Sequence, residues 1–133
     1  MYLIDTNIFL EVLLNQEKAD ECELFLKKIN RSKGSFYVSS FTLHSIEVIM
    51  ARTNKIKELG DFLSFISKGK IARIDSVTAD ELSALESMKE FQLDFDDSIQ
   101  LVICKKHSLS VVSYDKHFDK TQVKRLEPQQ VPL

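Results

Sequence analysis

Four short β-rich runs, Tyr2–Ile4, Phe36–Ser39, Ile71–Ile74 and Ser110–Ser113, are separated by longer stretches whose apolar residues recur at helical spacing. Parallel strands cannot be joined by a tight turn and need a crossover, usually a helix. The alternation therefore points to an α/β fold, with a parallel sheet covered by helices.

The intervening stretches carry their own boundaries. Asp5-Thr6-Asn7 offers capping side chains for a helix beginning near Ile8. Ala19, Cys22, Leu24, Phe25, Leu26 and Ile29 mark a helix from Glu17 to about Ile29, and Asn30–Ser35 breaks it. A helix capped by Ser40 or Thr42 is expected through about Arg52, and another from about Ile56 to Ile66, ended by Lys68-Gly69-Lys70. Thr78 caps a helix through about Phe91, with Glu81 as the acid of a capping box. Asp96 or Asp97 opens the next, through about His107. Val123–Leu126 adds an edge strand, since Pro128 and Pro132 prevent regular pairing beyond it.

At 133 residues the chain matches one domain, residues 1–133, and a composition of 44% hydrophobic and 29% charged residues can supply a core. No apolar stretch reaches the roughly 18–20 residues needed to span a bilayer, and the Met1 region has no pattern of a secretory signal. We expect a soluble cytoplasmic protein with no membrane partner. Cys22 and Cys104 lack metal or disulfide spacing and read as reduced core thiols. A net charge of −2 excludes a protein that grips nucleic acid by bulk charge alone, but not a nuclease, whose acidic site itself lowers the total.

The chemistry lies in four acids placed at the ends of apolar runs or within one. Asp5 follows the first strand, Asp97 opens a late helix in LDFDDSIQLVI, and Asp115 follows LSVVSY. A carboxylate at the C-terminal end of a strand faces the crevice where ligands bind in such sheets. Carboxylates that meet there repel one another unless a cation lies between them. Each also has a plainer use: Asp5 and one of the Asp96/Asp97 pair as helix caps, Asp115 as a turn residue. Glu47 lies inside the aliphatic run Leu43–Ile49, either on the polar edge of its helix or drawn into the site. His44, His107 and His117 show no metal-ligand spacing and read as surface or helix-end residues. No nucleophile motif and no Gly-rich phosphate loop is present.

The segments LIDTNIFLE, DFDDSIQLVICKK and VVSYDKHFDK, in this order and spacing, resemble the PIN-domain ribonuclease superfamily, including VapC-type toxins of toxin–antitoxin pairs. The resemblance spans essentially the whole chain. It implies a three-layer α/β/α fold and acids that hold Mg²⁺ or Mn²⁺ and cleave single-stranded RNA. Carried over by residue, it assigns the catalytic acids to Asp5, Glu47, Asp97 and Asp115, the metal ligands to Asp5, Asp97 and Asp115, and supporting hydrogen bonds to Thr6, Asn7 and Ser113. The chain departs from the pattern at the second acid. In many members this acid comes six residues after the serine that ends the second strand, a count that reaches Ser45 from Ser39, with Glu47 two positions beyond. Some relatives in a branch sharing the LHSI and DFDD patterns lack this acid, which leaves open a weakened or metal-poor site.

The expected activity is metal-dependent phosphodiester hydrolysis. The alternative is a PIN-like module that binds RNA or a protein without cutting. Aliphatic and aromatic residues of Thr42–Ile66, Phe62 and Phe65 among them, exceed what two helices need to cover a small sheet, and predict an apolar patch that drives a homodimer or an antitoxin contact.

Overall fold

The computed structural model describes residues 1–133. The chain runs β1 (Tyr2–Ile4), α1 (Thr6–Leu13), α2 (Ala19–Ile29), β2 (Phe36–Ser39), α3 (Ser40–Arg52), α4 (Ile56–Lys68), β3 (Ile71–Ile74), α5 (Thr78–Phe91), α6 (Phe95–His107), β4 (Ser110–Val112) and β5 (Arg125–Leu126). Two 3-10 turns, Lys116–Lys120 and Pro128–Gln130, complete it. All five strands are parallel, in the order β3-β2-β1-β4-β5. No helix is long and apolar enough to cross a membrane.

The two-residue repeat of the strands divides the core between the faces of the sheet. Ile4, Phe36, Val38 and Val112 point to one side, where they meet Ile8 and Phe9 of α1, Cys22 and Phe25 of α2, Leu43 and Ile46 of α3, and Phe62 of α4. Leu3 and Val111 point to the other, against Ile103 and Cys104 of α6 and against Phe118. Helix α5 packs on α6. The result is a three-layer α/β/α sandwich around a parallel sheet. Each fully buried aliphatic or aromatic side chain contributes about 1.5–3 kcal/mol.

Local chemistry sets the boundaries with small corrections. Helix α1 begins at Thr6 rather than Ile8, because Asp5 caps it by accepting from the Thr6 amide at 2.8 Å. Helix α3 is capped by Ser39, not Ser40 or Thr42; Ser39 Oγ accepts from the Thr42 amide at 3.1 Å. At α5 the acid that returns to the Val77 amide is Asp80, at 2.9 Å, rather than Glu81. Lys106 of α6 reaches the same carboxylate at 3.1 Å and ties the two helices. Helix α4 continues to Lys68 and ends at Gly69, where a Cβ would stand 2.7 Å from the Phe65 carbonyl oxygen. Both cysteines are buried free thiols. Phe62 is largely buried, its ring 5.3 Å from that of Phe9, and the large apolar side chains of that region that stand exposed are Val48 and Ile56.

Candidate active site

Strands β1 and β4 are neighbours, yet the chain leaves β1 toward β2 and β3 and returns on the other side to β4 and β5. The loops beyond β1 and β4 therefore diverge and open a crevice at the carboxyl end of the sheet. Helices α3, which follows β2, and α6, which precedes β4, both begin at that same end. This explains why Asp5 and Asp115, which follow strands, meet Asp97, which opens a helix. A cleft of about 330 Å³ is lined there by Asp5, Thr6, Asn7, Asp96, Asp97 and Asp115, with Phe41, Ser45 and Ile49 from α3.

Asp5 forms the floor and is buried. Its amide donates to the Val112 carbonyl at 3.0 Å, extending the β1–β4 pairing. Both side-chain oxygens are occupied: Oδ1 accepts from the Thr6 amide and, at 3.1 Å, from Gln100 Nε2, while Oδ2 accepts from Ser113 Oγ at 2.7 Å and Asn7 Nδ2 at 3.3 Å. Gln100 also donates to Thr42 Oγ1 at 2.8 Å and accepts from Ser39 Oγ at 2.6 Å. Thr42 and Thr6 hydroxyls are 2.8 Å apart. The cap of α3 is thus part of the scaffold that orients Asp5. Burial raises the Asp5 carboxyl above its usual range, opposed by the Ser113, Gln100 and Thr6 hydrogen bonds and reinforced by the Asp115 charge.

Asp97 lies in the first turn of α6, and Asp115 heads the 3-10 turn that follows β4. Desolvation, then the charges of Asp115 and Asp5, push the Asp97 carboxyl up to about 7. His117 completes the group. Its Nδ1 is 3.1 Å from Asp115 Oδ1 and 3.3 Å from Asp97 Oδ2, and ligand atoms of Asp97, Asp115 and His117 all lie within 4.8 Å of one another. The Asp115 loop is held from two sides. Tyr114 Oη donates to Glu21 of α2, and Lys18 Nζ stands 4.6 Å over the Tyr114 ring. Arg125 of β5 binds both Asp119 oxygens, at 2.9 and 3.2 Å, and the Ser113 carbonyl at 3.0 Å.

The fold thus brings Asp5, Asp97 and Asp115 into one cleft, with Thr6, Asn7 and Ser113 beside them. It does not bring Glu47. That side chain is 34% exposed and accepts from or donates to no cleft residue; it pairs with His44 Nδ1 at 2.8 Å. Successive helical residues turn by about 100°, so Ser45, two positions earlier, lines the cleft while Glu47 faces elsewhere. Glu47, expected among the catalytic acids, therefore does not line the cleft that holds the three aspartates. Asp5 sits outside the tight group, whose third member is His117, a residue read from the sequence as surface. Its spacing two residues beyond Asp115 was the available signal. Gln100 was also missed, although a lone amide in the apolar run Ile99–Ile103 needs a buried partner. Two carboxylates and an imidazole suit a divalent cation. Asn7 Oδ1, a buried acceptor in the same cleft with no protein donor, suits a water of a hydrated ion.

Comparison with known proteins agrees with this geometry. The sequence matches the family model described as PIN domain over residues 2–124. No match was found among curated protein sequences. The fold is similar to that of a toxin–antitoxin complex from Klebsiella pneumoniae, with TM-score 0.73 and 17% identity, covering 98% of this chain and 100% of that one. It is similar to a sarcin–ricin loop cleaving VapC toxin of Mycobacterium tuberculosis, with TM-score 0.76, 13% identity and coverage of 96% and 100%. It is also similar to FitAcB of Neisseria gonorrhoeae, with TM-score 0.68, 22% identity and coverage of 98% and 100%. At these identities the structural likeness speaks for the fold; with a family model that spans nearly the whole sequence and acids gathered at the sheet's switch point, this chain belongs to the PIN-domain family.

Proposed function

We propose that this chain is a metal-dependent endoribonuclease that cleaves single-stranded RNA, acting as the toxin of a toxin–antitoxin pair. The observation that carries the reading is the convergence of Asp97, Asp115 and His117 within 4.8 Å, over the buried Asp5, at the switch point of a parallel sheet. A bound Mg²⁺ or Mn²⁺ would supply Lewis-acid chemistry, activating water and neutralising charge that develops on the phosphodiester.

The chain's own residues divide the remaining work. Asp97 and Asp115 would hold the ion through their carboxylates. Asp5, with both oxygens held by four donors, would lend the site a carboxylate fixed in position. Thr6, Asn7 and Ser113 orient Asp5, and Asn7 Oδ1 remains available to water. Gln100 locks Asp5 to the start of α3. The direct test is cleavage of a generic single-stranded RNA with Mn²⁺ or Mg²⁺ added, beside Asp97→Asn and Asp115→Asn variants. Metal-dependent cleavage by the parent and loss in both variants supports the reading.

One observation favours a second reading, a non-cleaving module that binds RNA or a protein. Helix α3 presents Ser45 to the cleft and no acid, since Glu47 turns away. RNA bound but uncut with every added metal would select it.

An antitoxin partner is part of the first reading. One of the similar structures is a toxin–antitoxin complex, that from Klebsiella pneumoniae. A groove of about 410 Å³ between α1, α2 and α4, lined by six apolar residues, Phe62 and Phe65 among them, and by Glu23, Lys27, Glu58 and Asp61, suits a partner's amphipathic segment. Relief of growth arrest by the product of an adjacent reading frame tests it. Sedimentation tests the homodimer, for which Val48 remains a candidate contact.

A further inference from the structure

We propose that His117 is a nitrogen ligand of the ion in the cleft, and that it tilts the site toward transition cations such as Mn²⁺ and Co²⁺ and away from Mg²⁺. The proposal rests on the metal-dependent reading above.

The placement of the ring is built, not incidental. The His117 amide donates to Asp115 Oδ1 at 2.9 Å, fixing the first residues of the 3-10 turn to the acid they serve. The next residue, Phe118, is fully buried in the core beneath α6, so the turn cannot swing outward without exposing it. The imidazole is thereby held over the cleft with Nδ1 3.1 Å from Asp115 Oδ1 and 3.3 Å from Asp97 Oδ2. Separations of about 3 Å are those of adjacent ligand atoms around one ion whose bonds are about 2.1 Å long. The two oxygens belong to different elements, α6 and the turn after β4, and Nδ1 lies within 3.3 Å of both.

Ligand type then decides which ion is preferred. Mg²⁺ is a hard cation that seeks oxygen and gives up water reluctantly, whereas imidazole suits first-row transition metals. Asp5 offers no unengaged oxygen to make up the difference, because each is already held by two donors. No acid comes from α3 either, since Ser45 occupies the cleft wall. A site with two carboxylates and one nitrogen therefore loses more with Mg²⁺ than with Mn²⁺ or Co²⁺.

The test uses the full chain with Mn²⁺ alone as probe, followed by electron paramagnetic resonance that detects nitrogen hyperfine coupling, and by calorimetric titration of Mn²⁺ and Mg²⁺. Nitrogen coupling is expected in the parent and absent in His117→Ala, with Mn²⁺ affinity reduced by about tenfold or more. Mg²⁺ affinity should change by less than about threefold in that variant, and His117→Asp should shift preference toward Mg²⁺. His117 is 58% exposed, so His117→Ala is expected to keep the parent's fold, while His117→Asp, which adds a third carboxylate beside Asp97 and Asp115, is compared with the parent only at saturating metal. Mn²⁺ that binds without nitrogen coupling, is lost in Asp97→Asn and is retained in His117→Ala overturns the role of His117 and leaves the metal-dependent reading standing. Mn²⁺ binding indifferent to Asp97→Asn and Asp115→Asn overturns both.

Discussion

Ser113 Oγ donates to Asp5 Oδ2 at 2.7 Å, and the same oxygen accepts from the Asp115 amide at 2.9 Å. One buried hydroxyl thus joins the acid at the end of β1 to the acid beyond β4. Ser113→Ala leaves the Asp5 oxygen short of its strongest donor and the Asp115 amide unpaired. A loss of roughly 1–3 kcal/mol is expected on denaturant unfolding, with weaker Mn²⁺ binding. An unchanged midpoint would show that water replaces the hydroxyl.

Gln100 offers a sharper test of the scaffold. Gln100→Glu places a carboxylate where Nε2 now donates to Asp5 and Thr42. Two buried carboxylates repel when both are ionised and share a proton when they are not. The variant should therefore be much less stable than the parent at pH 7 and recover toward it near pH 4.5. Thermal unfolding across this range checks the claim, and a penalty independent of pH would mean that lost packing, not charge, is responsible.

The raised carboxyl of Asp97 predicts a pH dependence with a definite sign. Its native value of about 7 lies above the ordinary 3.8, so between these limits the native state holds a proton that the unfolded chain has released. Stability from this group is therefore lost as pH rises from about 4 to about 7. Asp97→Asn removes the effect, so in metal-free buffer its melting temperature should exceed the parent's by a margin that grows across the window, to on the order of 5 °C. The open cleft screens part of the repulsion and limits the margin. Saturating Mn²⁺ should reverse the order, because it stabilises only the protein that binds it.

Glu47→Gln should leave metal affinity and RNA cleavage within error of the parent, because Glu47 pairs with His44 and not with the cleft. Asp115→Asn should lower both by at least about tenfold. Titration calorimetry and a cleavage assay on the same preparations separate the two. An equal loss in both variants would place Glu47 back in the site.

The alternation of short apolar runs with helical stretches was enough to determine the layered parallel fold, because strand and helix periods are local properties that survive in one dimension. The acids at Asp5, Asp97 and Asp115 were legible for the same reason: strand ends and helix starts can be read locally, and in a parallel sheet with helical crossovers they gather on one edge. What the sequence could not decide was orientation and long-range pairing. Ser45 and Glu47 are two positions apart, and only the packing of α3 chose which one faces the cleft. Gln100 and Asp5 are 95 residues apart, and their hydrogen bond exists only once α6 has docked beside β1. His117 looked like a surface residue because the three histidines show no metal-ligand spacing. Burial of Phe118 turned the 3-10 segment so that the imidazole met Asp97, a contact between elements that no local pattern encodes.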